Sequence, residues 1–141
     1  MKSIVIHAAK DLRIEEQPVA APGPGQVQIQ LAAGGICGSD LHYYHNGGFG
    51  DIRLKEPMVL GHEVSGHIYA LGAGVTGLNE GQLVAISPSR PCGHCKYCNE
   101  AMFNQCLNMR FYGSAMPFPH IQGAFCQMLL LMRPNARLLQ V

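Results

Sequence analysis

Apolar and polar residues alternate over much of this chain. Ile4 and Ile6, then Leu12 and Ile14, then Val27, Ile29 and Leu31 recur with a period of two, the spacing that lines one face of a β-strand. Pro22-Gly23-Pro24-Gly25 separates the second run from the third and predicts a turn. Further strands are predicted around residues 62–71, 83–86 and 124–131, the last so largely apolar that it is either buried on both faces or not a simple strand. Helix is predicted only in brief pieces, over residues 37–46 after Gly34-Gly35 and as a turn between Cys98 and Cys106. Short strands joined by turns predict a mainly β fold closed into a small barrel. There is no internal repeat or linker, and Pro134-Asn135 predicts the exit from the domain.

Composition narrows the picture. The chain has 141 residues, 48% of them hydrophobic, which suffices for one domain with a real core. Ten basic against nine acidic side chains leave a charge of +1, so no general field exists for nucleic acid or an anionic membrane, and neither is expected as a partner. No apolar run approaches the roughly eighteen residues of a membrane span. The start, Met1-Lys2-Ser3-Ile4-Val5-Ile6-His7, lacks the apolar stretch of a signal peptide. A cytoplasmic location is expected, where reducing conditions keep thiols free for metal.

Cysteine is where the chemistry starts. Cys92, Cys95, Cys98 and Cys106 crowd one short segment. A closed structural zinc site takes four thiolates at about 2.3 Å in a tetrahedron, and two-residue gaps let a tight knuckle aim successive sulfurs at one point. Local disulfides are the alternative, but cysteines this close are poorly placed for the geometry of several bridges. Pro91 and Gly93 help the chain reverse, and His94 is expected to be a solvated loop residue.

A second constellation is Cys37, in Cys37-Gly38-Ser39-Asp40-Leu41-His42, with His62-Glu63 further on. A thiolate, an imidazole and a carboxylate are all zinc ligands, and three protein ligands leave one position open for water or substrate. One closed and one open site together argue for an enzyme. On spacing alone, a buried cysteine and a surface carboxylate remain the plain alternative.

Gly61-His62-Glu63-Val64-Ser65-Gly66, followed by Gly72 and Val75, resembles the signature of zinc-containing alcohol dehydrogenases of the medium-chain dehydrogenase/reductase superfamily. Gly35-Ile36-Cys37-Gly38-Ser39-Asp40 before it and the cysteine lobe after it stand at that family's spacing, so the resemblance covers essentially the whole chain. Residues 37–44 with Met109-Arg110-Phe111-Tyr112-Gly113-Ser114 resemble its polyol dehydrogenase branch.

The resemblance implies a GroES-like β-barrel with a few short helices. Residues 1–141 would be the N-terminal catalytic domain, with a zinc lobe at about 88–112 and the nucleotide-binding domain absent from the chain. It implies a catalytic zinc on Cys37, His62 and Glu63 and a structural zinc on Cys92, Cys95, Cys98 and Cys106. Ser39 would take the substrate proton, His42 would pass it through the cofactor ribose to solvent, and Asp40 would orient His62. Tyr43 and Phe111 match substrate-pocket positions. The full-length protein would be a homo-oligomer moving hydride to NAD or NADP from a sugar acid or polyol. Oxidation of L-idonate to 5-ketogluconate is the first expectation and a sorbitol or xylitol activity the second; the isolated domain is expected to be inactive.

Other readings stay open beside these. Ser39 could be a helix N-cap, His42 simply exposed, and Tyr43 and Phe111 core residues. His45 and His67 are expected to lack a catalytic part, His7 and His120 carry no assignment, and Cys126 is expected to act as a small buried hydrophobe. Gly72-Ala73-Gly74-Val75-Thr76-Gly77 fits the spacing of a dinucleotide-binding turn, but no helix is expected after it, so it reads as a glycine-rich turn. Departures from the family are mild: Gly81-Gln82-Leu83-Val84 stands where an Asp-Arg pair is common, and Cys126 where alanine is usual. The alternative from another class is a stand-alone zinc-stabilised binding module without catalysis.

Overall fold

The computed structural model describes residues 1–132 and 138–140. Period-two segments become strands: β1 (Lys2–Ala8), β2 (Asp11–Glu16) and β3 (Gln26–Gly35). Helix α1 (Gly38–Asn46) follows, then three short strands, β4 (Gly48–Phe49), β5 (Ile52–Arg53) and β6 (Met58–Val59). Next come β7 (Glu63–Leu71), β8 (Leu83–Ile86), β9 (Ser89–Arg90), a single-turn α2 (Lys96–Asn99) and a 3-10 turn at Phe103–Gln105. The described chain ends with β10 (Arg110–Phe111), β11 (Met128–Met132) and β12 (Leu138–Gln140).

The main sheet has the order β11-β3-β7-β8-β12, every neighbouring pair antiparallel, and a second sheet has the order β2-β1-β6. Alternate residues of the main sheet, among them Val27, Ile29, Val64, Ile68, Val84 and Leu131, point into one core. Ile6, Tyr43, Met58, Leu60 and Ala115 form a second. Residues 124–127 tie the sheets together: Ile4 N–H donates to Phe125 O (2.9 Å), Gln127 N–H to Lys2 O (3.0 Å) and Leu31 N–H to Gln127 O (3.1 Å). The mainly β expectation stands. Among the described residues no helix is long and apolar enough to cross a membrane.

Three expectations are corrected or refined. The strand expected over 124–131 begins only at Met128, because Cys126 N–H bonds to Ala124 O (2.8 Å) and the chain turns there. It is an edge strand with Leu129 and Leu131 buried, whereas Met128 and Leu130 are half-buried, so it is not sealed on both faces. In β2, also an edge strand, Leu12 and Ile14 are exposed despite their alternation. The predicted exit at Pro134-Asn135 lies outside the described residues. After Leu71 the glycine-rich segment is a turn that leads without a helix to β8, in keeping with its reading.

Candidate metal centres

The ladder between β3 and β7 builds the open site. Its register pairs Gly34 with Val64 and Gly35 with Glu63, so the exit of β3 lies beside the entry of β7. Cys37 is two residues beyond Gly35 and His62 one before Glu63. One ligand atom from each of Cys37, His62 and Glu63 falls within 4.8 Å of the others. Cys37 is half-buried, His62 buried and Glu63 exposed, so the cluster has a dry side and a wet side.

Asp40 ties the two segments together. It lies in the first turn of α1, where a carboxylate complements the helix dipole. Its Oδ2 accepts from Cys37 N–H (3.0 Å) and its Oδ1 from Gly61 N–H (3.2 Å), joining the backbone of one ligand to the residue before another. The same Oδ1 stands 4.0 Å from His62 Nδ1. That nitrogen is buried without a hydrogen-bond partner, a costly arrangement in a protein interior. A buried imidazole beside a thiolate and a carboxylate fits the donor set of a zinc ion with a vacant position.

Around this cluster the other expected residues fall unevenly. The Phe111 ring centroid is 5.3 Å from that of His62, which puts this half-buried aromatic against a ligand. Ser39 is half-buried and His42 exposed; three apart in α1, they share a face. The N-cap position falls on Cys37, so the N-cap alternative for Ser39 is withdrawn. Tyr43 departs from its pocket expectation. It is 1% exposed, packed in the second core, and its hydroxyl accepts from Ala115 N–H (2.9 Å), which favours the core alternative. Burial raises its phenol above the ordinary range. His45 and His67 are exposed, and His67 Nδ1 lies 3.1 Å from Gly81 O. His120, unassigned from sequence, is buried and braces a loop, with Nδ1 donating to Pro117 O (2.9 Å) and Nε2 accepting from Lys55 N–H (2.9 Å).

The cysteine lobe gathers as its spacing predicts. The sulfurs of Cys92, Cys95, Cys98 and Cys106 all lie within 4.8 Å of one another. Cys92 Sγ and Cys98 Sγ are 4.0 Å apart, and no cysteine is bridged. A disulfide needs about 2.05 Å, whereas a tetrahedron of Zn–S bonds of about 2.3 Å has edges of about 3.8 Å. The separation therefore suits a metal. Backbone N–H groups of Cys92 (3.2 Å) and Asn108 (3.4 Å) point at Cys106 Sγ. The backbone N–H of His94 holds the Cys92 thiol down to about 6, and that of Leu107 lowers Cys95, while burial pushes Cys98 up to about 12. His94 is exposed with Nδ1 2.9 Å from Cys92 O, outside the sulfur cluster. Cys126 stands apart, half-buried, its Sγ donating to Met128 O (3.2 Å), and burial pushes its thiol up to about 11.

Two residues at the open site went unmarked in the sequence. Gly113 packs on Gly61, where a Cβ would lie 3.1 Å from Gly61 O, and the Phe125 ring fills the space a Cβ on Gly61 would take. A single apolar stretch carries no signal that one ring in it will touch a metal-ligand segment.

Comparison with known proteins identifies the family. Residues 23–141 match the family described as the alcohol dehydrogenase GroES-like domain. The chain is 51% identical over 124 residues to the L-idonate 5-dehydrogenase (NAD(P)(+)) of Escherichia coli (strain K12), a match covering 88% of this chain and 35% of that protein. It is 40% identical over 127 residues to the sorbitol dehydrogenase of Bacillus subtilis (strain 168), covering 90% of this chain and 35% of the relative. The chain thus spans about a third of the length of the curated relatives it matches. The crystal structure of L-idonate 5-dehydrogenase from Escherichia coli superposes with a TM-score of 0.87 at 47% identity, over 96% of this chain and 38% of that one. Galactitol-1-phosphate dehydrogenase from Escherichia coli superposes at 0.80 and 33% identity, over 99% of this chain and 38% of that one. With the family match over most of its length, the fold and the two ligand clusters in agreement, the chain belongs to the alcohol dehydrogenase GroES-like domain family.

Proposed function

We propose that this chain is the catalytic domain of a zinc-dependent oxidoreductase that oxidises a secondary alcohol of a sugar acid or polyol. The observation that carries the reading is the convergence of Cys37, His62 and Glu63 within 4.8 Å, in a chain 51% identical to an L-idonate 5-dehydrogenase. Residues 1–141 serve as the GroES-like domain, with a lobe at about 88–112 held by a structural zinc on Cys92, Cys95, Cys98 and Cys106. NAD or NADP, named for the Escherichia coli relative, receives the hydride in this reading.

In this reading Cys37, His62 and Glu63 hold the catalytic zinc, and the buried Nδ1 of His62, facing Asp40, leaves Nε2 for the metal. A zinc ion there supplies a Lewis acid that stabilises negative charge on an alcohol oxygen. Asp40 sets the tautomer and orientation of His62 while gripping Cys37 and Gly61 through their backbone N–H groups. Phe111 lines the pocket against His62 and keeps that side dry. Ser39 takes the proton of the substrate hydroxyl, and His42, exposed on the same helical face, hands it toward solvent, a task suited to imidazole near neutral pH.

L-idonate is the preferred substrate in this reading, oxidised at the hydroxyl that yields 5-ketogluconate. A second reading, sorbitol or xylitol, is favoured by the 40% identity to the sorbitol dehydrogenase of Bacillus subtilis. The test is turnover by this chain joined to the nucleotide-binding part of a matching dehydrogenase, with L-idonate, sorbitol and xylitol and with NAD and NADP. Oxidation of L-idonate, lost in Cys37→Ser, is the expected result. Preference for sorbitol moves the assignment to the second reading, and no alcohol oxidised by a zinc-loaded protein overturns both.

A further inference from the structure

Phe125 belongs to neither ligand cluster, yet it touches the chain segments that deliver two of the three open-site ligands. A Cβ placed on Gly61 would lie 2.2 Å from Phe125 Cδ1, so the ring is seated directly on the backbone before His62. A Cβ on Gly34 would lie 3.0 Å from Phe125 Cε1, so the same ring reaches the strand that runs into Cys37. It also packs against both hydrophobic cores.

The ring is held where it is. Phe125 N–H donates to Leu60 O (2.8 Å), Ala124 N–H to Gly61 O (2.8 Å), and Phe125 O accepts from Ile4 N–H (2.9 Å). Gly61 has φ +91, a left-handed backbone that suits glycine, and its missing side chain is the space the ring occupies. Gly113 also packs on the Gly61 backbone, and Asp40 Oδ1 takes the Gly61 N–H. The residue before His62 is thereby held at its nitrogen and its oxygen and packed by Phe125 and Gly113, and Phe125 joins Asp40 in also reaching the Cys37 segment, by packing where Asp40 uses hydrogen bonds.

We propose that Phe125 is a positioning residue for the open metal site: a flat wedge that sets the spacing between the Cys37 and His62 segments. The proposal rests on the reading of Cys37, His62 and Glu63 as a metal site. A planar ring suits the role because it meets two bare backbone segments across a narrow gap, whereas a branched aliphatic of similar volume must push on one of them.

The test is cobalt(II) titration of the 141-residue chain followed by visible absorption, with Cys37→Ser identifying the part of the spectrum owed to the open site. Phe125→Leu keeps most of the volume and removes the flat ring. Expected is a cobalt affinity at the open site weakened by roughly tenfold or more, a shifted Cys37-dependent band, and an unchanged four-cysteine site. Leu129→Ala, in the first core and away from the ligands, is the control for general destabilisation, and its open-site band should match that of the unmodified chain. A Cys37-dependent band left unaltered in Phe125→Leu, or altered equally by Leu129→Ala, overturns the wedge and leaves the metal site standing. No Cys37-dependent band in the unmodified chain overturns the site itself.

Discussion

Asp40 and His62 face each other in the interior, with Oδ1 and Nδ1 4.0 Å apart and both side chains less than 10% exposed. Neither is satisfied by this contact alone, since Asp40 spends its oxygens on Cys37 N–H and Gly61 N–H while His62 Nδ1 has no bonded partner. The carboxylate thus ties two backbone segments together while its Oδ1 stands beside the imidazole, the arrangement that the proposed orienting role needs. Removing it should loosen the metal more than it unfolds the chain. Asp40→Ala strands two N–H groups, at about 1–3 kcal/mol for each that stays buried, and frees the imidazole to rotate. Cobalt titration should show open-site affinity lower by about 10–100-fold, with the four-cysteine site intact in the same spectra.

Tyr43 should behave in the opposite way. Its hydroxyl is the acceptor for Ala115 N–H, and its ring fills the second core beside Ile6 and Met58. Tyr43→Phe keeps the ring and deprives a buried amide of its partner, so a loss of about 1–2 kcal/mol is expected in urea unfolding. Open-site cobalt affinity should not change. A variant with unaltered stability and weaker substrate binding in the longer protein would restore Tyr43 to the pocket.

The glycine-rich turn offers a paired test of close approach against backbone freedom. A Cβ on Gly72 would sit 1.9 Å from Gly23 O, because the turn after β7 packs backbone to backbone on the Pro22–Gly25 turn. A Cβ on Gly74 would meet nothing within 4 Å, and only its φ of +78 resists a side chain. Gly74→Ala should cost about 1–2 kcal/mol, the ordinary penalty of a left-handed L-residue. Gly72→Ala should cost more than about 3 kcal/mol, beyond ordinary overpacking, since backbone cannot step aside like a side chain. Thermal unfolding of the two variants decides this, and equal losses would mean that the approach at Gly72 is relieved.

These cases show what a sequence displays and what it hides. Cys92, Cys95 and Cys98 were legible because their spacing is itself the geometry of a knuckle, and Val27, Ile29 and Leu31 because alternation is the geometry of a strand. The open site was legible only through its resemblance to a family, since Cys37 and His62 meet across a ladder whose register no local pattern states. Tyr43 was ambiguous because an aromatic beside a ligand helix suits core and pocket equally, and what favours the core is a distant amide, Ala115 N–H, that no local pattern displays. Phe125 was invisible for a related reason: its contacts with the segments before Cys37 and His62 are with glycine backbone, which leaves no complementary side chain to read. Ile14 misled in the other direction, because alternation reports a strand but not whether a layer covers it.

Cys126 provides a pH test. Burial pushes its thiol up to about 11, against roughly 8.5 for a free cysteine. A thiol whose folded value is raised favours the folded state below the unfolded value, and that contribution is lost as pH rises through the folded one. Stability should therefore fall between about pH 8.5 and 11, and Cys126→Ala should remove that part of the slope. Because the thiolate is the nucleophile, alkylation at pH 8 should be about a hundredfold slower at Cys126 in the folded, zinc-loaded chain than in urea. If the proposed zinc sites are filled, the four lobe cysteines and Cys37 should be shielded by metal in that sample, so peptide mapping separates the two kinds of protection: a chelator should expose those five and leave Cys126 slow while the barrel stays folded. Cys126 reacting as fast as an unfolded thiol would mean that the segment joining the sheets, and with it the seat of Phe125, opens readily in solution.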